Sequence, residues 1–186
     1  MLFVISGPSG AGKGSLIRGV LERDPTLAAV AVSATTRARR AGEVDGREYF
    51  FLDDAEFQRR VDAGDFEEHV SFAGGRYGTL RSEIDRLLAV GRNVILELEV
   101  EGAFAIRRRR DDAVLIFIDS SLEELDRRLH RRATEMAGEI DERLRIARAQ
   151  REERGEFDHV ILNDDLSRAT DELYATMRAV ISRRAS

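Results

Sequence analysis

The sequence predicts an α/β fold in which helices flank a parallel sheet, and three observations support this prediction. Short, continuous apolar runs recur along the chain, amphipathic helical stretches separate them, and the first run leads directly into a glycine-rich loop. Continuous apolar runs are typical of strands covered on both faces. Strands that alternate with helices indicate βαβ units, whose strands pair in parallel.

Composition limits the class of protein. A chain of 186 residues corresponds to one domain, with 42% hydrophobic residues for a core and 35% charged residues for a soluble surface. We expect no membrane span and no secretory signal, and therefore a cytoplasmic protein, because no apolar run is long enough and no basic segment precedes one. The absence of cysteine excludes disulfides and thiolate chemistry, and a net charge of −5 argues against a protein that coats nucleic acid.

The core strands are predicted from five apolar runs, at residues 2–5, 30–32, 94–96, 114–118 and 160–162. Apolar residues at helical spacing predict helices around Leu122, around Ile140 and from Ala169 to the C-terminus. Helix starts are predicted from capping signals at Ser121, Ser82 and Asp53. Two stretches depart from this rhythm: residues 34–80 suggest short strands and turns inserted in the domain, and residues 131–155 are highly charged with helical periodicity.

A phosphate-binding loop follows the first strand. The pattern is G-x-x-x-x-G-K in its required strand–loop–helix setting, and its residues are Gly7, Pro8, Ser9, Gly10, Ala11, Gly12, Lys13, Gly14 and Ser15. The glycines let main-chain N–H groups converge on phosphate oxygens, and the following helix adds its positive N-terminus. Lys13 is the single lysine among 30 basic residues, which suggests that a compact charge is needed there.

The loop also contains a departure. A Ser or Thr normally follows the lysine and helps to hold Mg²⁺, whereas this chain has Gly14 and then Ser15. The direct metal ligand therefore stays unassigned, with Ser15 as a candidate that could act through water.

A second group of polar residues follows the loop. Arg37 and Arg40 lie in a turn-rich stretch and could clamp a phosphate with paired N–H groups, and Tyr49 offers a hydroxyl to the same anion. A carboxylate at Glu68 is suited to reading guanine, because guanine presents N1–H and N2–H₂ donors at the edge where adenine presents none. Hydroxyl groups follow at Tyr77 and Thr79.

With these motifs together, the sequence resembles the guanylate kinase family. The resemblance covers almost the whole chain, through the phosphate loop, the pattern S-x-T-T-R-x-x-R-x-G-E-x-D-G-x-x-Y-x-F, and residues 66–79, 96–102, 121–134 and 163–165. It implies a P-loop nucleoside monophosphate kinase-like core at residues 1–33, 81–130 and 156–186. It also implies a mixed α/β GMP-binding insertion at about 34–80 and a helical lid at about 131–155.

The resemblance implies roles residue by residue. ATP would be held by residues 7–15 and by Asn163, with Lys13 on its β- and γ-phosphates. The GMP phosphate would be held by Arg37, Arg40, Tyr49 and Tyr77. Guanine would be read by Ser33, Glu68 and Thr79, with the acidic residues Glu97 and Glu99 near the base and the metal. The catalytic residues, which would supply positive charge during phosphoryl transfer, would be Lys13, Arg37 and the two lid arginines Arg132 and Arg143.

Several positions depart from the family pattern. They are Arg39 in place of a proline, His69 in place of Trp, Arg76 in place of a tyrosine, Glu99 and Glu101 in place of Asp and Gln, and Ala133 in place of a lid glycine. We expect these departures to affect the rate and the stringency of base recognition more than the class of reaction.

The resemblance implies ATP-dependent phosphorylation of GMP and dGMP, with ATP and Mg²⁺ required and with no nucleic-acid or membrane partner. The four arginines at residues 107–110 are interpreted as a solvated helix end. Two alternatives stay open at this point: a P-loop kinase of another small phosphate, and a guanylate-kinase-like binding module with little catalytic activity. The oligomeric state is not predicted.

Overall fold

The central feature of the fold is a five-stranded parallel sheet. The computed structural model describes residues 1–72, 74–131 and 137–185. The sheet has the order β2-β7-β1-β8-β9, and every neighbouring pair is parallel. Its strands are β1 (Leu2–Ser6), β2 (Ala29–Val30), β7 (Val94–Glu97), β8 (Ala113–Asp119) and β9 (His159–Leu162). The predicted α/β class with a parallel sheet is confirmed, and each predicted apolar run overlaps one of these strands.

Helices cover both faces of this sheet. They are α1 (Lys13–Arg23), α3 (Arg81–Ala89), α4 (Val100–Arg107), α5 (Leu122–Arg131), α6 (Ala137–Glu152) and α7 (Leu166–Ala185), and a 3₁₀ turn at Glu153–Glu156 follows α6. Alternate residues of β1 enter different apolar clusters: Phe3 packs with residues of α1 and α7, and Leu2 packs with residues of α3 and α4. This two-sided burial explains why the strand has no polar alternation in its sequence.

Residues between β2 and α3 form a second, smaller sheet. Its order is β4-β3-β6-β5, with β3 (Ala34–Thr35), β4 (Phe50–Phe51), β5 (Phe66–Phe72) and β6 (Gly75–Leu80). The helix α2 (Asp54–Asp62) lies between β4 and β5 in the chain, and Phe57 from this helix packs with Phe66 and Leu80 in a separate apolar cluster. The predicted stretch of short strands and turns is thus a mixed α/β unit with its own core.

The capping predictions have different outcomes. The Asp53 carboxylate accepts a 2.7 Å bond from the Glu56 amide, and the Ser121 hydroxyl accepts a 3.1 Å bond from the Glu124 amide, as predicted. The capping signal at Ser82 is wrong, because α3 starts at Arg81 with Leu80 at the N-cap position and no side-chain cap. The Arg81 amide donates instead to the Asp65 carbonyl, so the helix continues directly from β6. None of the described helices is long and apolar enough to cross a membrane.

A candidate nucleotide-binding cleft

The loop between β1 and α1 is shaped by its glycines. Gly7 has a φ of 138° and lies so close to β8 that a Cβ would stand 2.2 Å from the Ile118 carbonyl oxygen. Gly12 has a φ of 90° and caps α1 in a left-handed conformation. The strand is therefore followed by a tight, glycine-rich loop that leads to the N-terminus of α1, where main-chain N–H groups and the helix dipole favour an anion.

Lys13 folds back over this loop. Its ammonium donates to the Gly7 carbonyl at 2.6 Å and to the Pro8 carbonyl at 3.3 Å, and its Nζ lies 3.8 Å from Glu99 Oε1. The residue is 8% exposed, so the charge is largely desolvated and depends on these oxygen partners. A phosphate in the loop would be a stronger partner for the ammonium than two neutral carbonyls.

The loop opens into a cleft of about 390 Å³ between the core sheet and the smaller sheet. Predicted phosphate-loop residues and predicted acceptor-side residues line it together. They are Pro8, Ser9, Gly10, Gly12, Lys13, Gly14, Ser15, Ser33, Tyr49, Glu68, Tyr77, Glu97 and Glu99. Residues predicted from separate parts of the chain therefore face one space large enough for small-molecule groups.

Other predicted residues lie behind the lining. Asn163 is 1% exposed, and its Nδ2 donates to the Ala11 carbonyl at 2.6 Å, so it braces the phosphate loop from the side of β9. Gly7 contacts β8 as described above, and Thr79 contacts the cleft through Glu68. Arg132 lies outside the described residues, and the side chain of Arg143 on α6 does too.

Glu68 is the most buried carboxylate of the cleft. It is 3% exposed, and one carboxylate oxygen accepts a 2.8 Å bond from the Thr79 hydroxyl on the neighbouring strand. Burial raises the pKa of Glu68 to about 7, although the Thr79 hydrogen bonds oppose the shift. The other oxygen faces Gly102 of α4, where a Cβ would lie 3.0 Å away. The carboxylate thus has a fixed position and depends on its partners to stay ionised.

Arg37 has an acidic partner in the same loop. Its guanidinium pairs with Glu43 Oε1 at 2.7 Å, and Glu43 Oε2 accepts from the Arg40 amide, also at 2.7 Å. The Arg37 hydrogen bond is the main reason that the pKa of Glu43 lies below its usual range. The guanidinium carbon lies 5.5 Å from the centroid of the Tyr49 ring, and the Tyr49 and Tyr77 rings are 6.1 Å apart. Arg37 and the two tyrosines therefore form one group. Arg40 is linked to this group through its main-chain amide, which donates to Glu43, and its side chain is exposed.

The cleft offers oxygen ligands that fit a magnesium ion. A Cβ at Gly14 would lie 3.4 Å from Glu97 Oε2, so the absence of a side chain there leaves room for that carboxylate at the start of α1. The Ser15 side chain, Glu97 and Glu99 line the same region. Within residues 1–72, 74–131 and 137–185 no group of three or more His, Asp or Glu side chains is arranged to hold a metal. Such sparse oxygen ligation suits Mg²⁺, which usually keeps waters and binds substrate phosphates.

Two contacts of α6 were not predicted from the sequence. Gln150 Nε2 donates to Glu99 Oε2 in the cleft at 3.1 Å, and Arg151 pairs with Asp119 at the end of β8 at 2.6 Å. Arg18, which lines the cleft one helical turn after Gly14, was not predicted either. The charged periodicity of α6 does not indicate which of its polar residues face inward. A glycine inside a helical pattern, as at position 102, does indicate that another group packs closely against the helix.

The sequence of this chain is similar to a known protein family and to individual members of it. A family model described as guanylate kinase matches residues 1–180. The guanylate kinase of Rubrobacter xylanophilus is 47% identical over 182 residues, covering 97% of this chain and 95% of that protein. The guanylate kinase of Prochlorococcus marinus is 46% identical over 177 residues, covering 95% of this chain and 93% of that protein.

Solved structures agree with the sequence comparison. The crystal structure of guanylate kinase from Anaplasma phagocytophilum superposes with a TM-score of 0.77 at 30% identity, covering 96% of this chain and 84% of that one. A structure of TT1252 from Thermus thermophilus has a TM-score of 0.55 at 19% identity, which supports the fold alone.

Proposed function

This chain belongs to the guanylate kinase family, and we propose on that premise that it transfers the γ-phosphoryl group of ATP to GMP. The products are ADP and GDP, and the enzyme is a nucleoside monophosphate kinase. We extend the proposal to dGMP, because a guanine reader and a phosphate clamp recognise groups that GMP and dGMP share.

One observation carries the assignment of the acceptor. A buried carboxylate, Glu68, faces the same cleft as the phosphate loop and is held there by Thr79. A guanine edge offers two adjacent donors to such an acceptor, whereas an adenine edge would leave the carboxylate without donors at a cost of about 1–3 kcal/mol or more. A kinase of a sugar phosphate would have no use for this group.

The reaction requires positioning and charge neutralisation. The acceptor is an ionised phosphate, so no side chain has to act as a strong general base. In the proposed mechanism the loop amides and Lys13 hold the ATP phosphates, while Arg37, Arg40, Tyr49 and Tyr77 hold the GMP phosphate in line. The carbonyls that now hold the Lys13 ammonium would be exchanged for phosphate oxygens when ATP binds.

The proposed metal site consists of oxygen donors at the start of α1, at the end of β7 and at the N-cap of α4. Ser15, Glu97 and Glu99 would hold Mg²⁺ directly or through water, and Mg²⁺ when bound neutralises charge on the transferred phosphoryl group. Arg132 and Arg143 would add positive charge from the lid. Closure of the lid and the insertion would exclude water, which would otherwise accept the phosphoryl group.

A substrate panel tests the proposed function. Release of ADP is measured with ATP and Mg²⁺ and, separately, GMP, dGMP, AMP, CMP, UMP and a sugar phosphate. We expect turnover with the guanine nucleotides alone. Turnover with a different acceptor would refute the substrate assignment, and no turnover with any acceptor would favour a binding module.

A Glu68→Gln variant tests base recognition in the same assay. The amide presents an N–H₂ group where guanine needs an acceptor, so we expect KM for GMP to rise by about 10-fold or more, with KM for ATP unchanged. Undiminished GMP turnover at low GMP concentration would show that Glu68 does not read the base.

A further inference from the structure

The four consecutive arginines at the C-terminal end of α4, residues 107–110, are not equivalent. Arg107 pairs with Asp158 at 3.0 Å and Arg110 pairs with Asp112 at 2.9 Å, and both partners belong to the region of the core sheet. Arg109 instead donates from its guanidinium to the main-chain carbonyl of Glu67 in β5. It therefore joins the end of a core helix to the smaller sheet that carries Glu68.

The accepting carbonyl lies at an irregularity of that sheet. In the β5–β6 ladder Phe66 pairs with Leu80 and Glu68 pairs with Thr79, so the register shifts and Glu67 has no residue opposite it. An extra residue of this kind interrupts the ladder and changes the direction of the neighbouring side chains. Its carbonyl still needs a donor, because an unpaired main-chain group away from water is costly. Arg109 supplies that donor.

The irregularity immediately precedes the proposed guanine reader. Glu68 points toward α4, with its carboxylate 3.0 Å from where a Cβ of Gly102 would be. Arg81 also holds this corner: its Nε donates to the Phe66 carbonyl at 3.2 Å and lies 3.3 Å from Glu67 Oε2. We propose that Arg109 is a positioning residue for guanine recognition, which fixes the irregular start of β5 against α4 so that Glu68 enters the cleft. This inference rests on the proposed function.

The positive charge of Arg109 supports guanine recognition by Glu68, as its hydrogen bond does. Burial favours the protonated form of the Glu68 carboxyl, the neighbouring Glu67 carboxylate adds to this effect, and the Thr79 hydrogen bonds oppose it. The Arg109 guanidinium also opposes it and lowers the pKa of Glu68, and Gly102 on the facing helix contributes no charge. Arg109 therefore helps to keep the carboxylate in the form that accepts the two guanine donors.

Steady-state kinetics of Arg109→Ala test this proposal. We expect KM for GMP to rise by about five-fold, the size expected for one intramolecular hydrogen bond, with kcat and KM for ATP within two-fold of the wild-type values. The rise in KM for GMP on acidification should also begin at a higher pH than in the wild type. Arg108→Ala is the matched control, because Arg108 lies in the same run and is exposed.

Two further variants distinguish the effect of the hydrogen bond from that of the charge. They also keep the proposal testable if Arg109→Ala does not fold. Arg109→Lys keeps the charge, so the pH profile should stay near that of the wild type. Arg109→Gln keeps a donor without charge, so its pH profile should shift like that of Arg109→Ala. The ¹³C chemical shift of the Glu68 carboxyl, assigned by its loss in Glu68→Gln, should show a higher titration midpoint in ligand-free Arg109→Ala.

The outcomes distinguish this inference from the proposed function. An unchanged KM for GMP in Arg109→Ala, or an equal change in Arg108→Ala, would overturn the inference while wild-type GMP turnover still supported the proposed function. An unchanged Glu68 titration midpoint in Arg109→Ala would likewise overturn it. A wild-type protein that does not phosphorylate GMP would overturn the proposed function and this inference together.

Discussion

Gln150 on α6 donates from Nε2 to Glu99 Oε2 across 3.1 Å, and the other oxygen of the same carboxylate lies 3.8 Å from the Lys13 ammonium. One carboxylate thus connects α6, which lies within the predicted lid, to the lysine of the phosphate loop. Arg151 at the end of that helix and Arg154 in the following 3₁₀ turn both pair with Asp119, at 2.6 Å and 3.4 Å. A change at α6 is therefore connected to Lys13 through a single side chain, that of Glu99.

Replacing Gln150 by alanine should slow the reaction. Without the amide donor, Glu99 is free to turn toward Lys13 and compete with the ATP phosphates for its ammonium. We expect kcat to fall by about five-fold, with KM for GMP changed by less than two-fold, because the loss is of the order of one hydrogen bond. Steady-state kinetics with ATP and GMP varied separately measure both constants. Arg148→Ala, at an exposed position of the same helix, should leave them unchanged, and an equal loss there would contradict the prediction.

The buried carboxyl of Glu68 should make stability depend on pH. Its pKa is about 7 in the folded protein against an ordinary value of 4.5, so the folded state holds a proton that the unfolded state releases between these values. The free energy of unfolding therefore falls as pH rises through this window, by up to about 3 kcal/mol. Glu68→Gln removes this loss.

Thermal unfolding at pH 5 and at pH 8.5 checks the sign. The midpoint of Glu68→Gln relative to that of the wild type should be several degrees higher at pH 8.5 than at pH 5. Glu123→Gln, which changes an exposed carboxyl, should show no such difference. A relative midpoint that is the same at both pH values would show that Glu68 ionises without cost in the folded protein.

Gly102 should control the position of Glu68. A methyl group at this residue would lie 3.0 Å from Glu68 Oε2, so the carboxylate has to shift by a few tenths of an ångström. We expect Gly102→Ala to raise KM for GMP several-fold with little effect on KM for ATP, even though alanine favours a helix by about 1 kcal/mol over glycine. Gly155→Ala, where no atom stands near the added methyl, is the matched control. Equal KM values for GMP in both variants would contradict this role.

Arg37 should need its planar guanidinium as well as its charge. It already pairs with a carboxylate at 2.7 Å beside two tyrosines, and a phosphate can accept the same paired N–H groups. Arg37→Lys should raise KM for GMP by about 10-fold, as measured at saturating ATP. The control is Arg59→Lys on α2, whose arginine is exposed and paired within its own helix. An unchanged KM for GMP in Arg37→Lys would mean that a positive charge at this position is sufficient to bind the phosphate.

The sequence alone predicted the fold class and the phosphate loop, for physical reasons that act locally. Strand–loop–helix order and a run of glycines around Lys13 impose the loop geometry, because only glycine tolerates the φ of 90° at Gly12 and the contact of Gly7 with β8. Apolar runs without polar alternation indicate a two-sided sheet wherever they occur. The predicted site residues Pro8, Ser33, Tyr49 and Glu97 line one cleft.

Tertiary structure alone decided what surrounds those residues. The Ser82 capping signal failed because the preceding strand already determined where α3 begins, which no local pattern contains. Thr79 and Gly102 lie against the buried carboxylate of Glu68. Arg109 donates to the carbonyl of the preceding residue, Glu67, from 42 positions further along the chain. These contacts depend on how two sheets and α4 pack, and packing joins residues whose separation in the sequence carries no periodic signal.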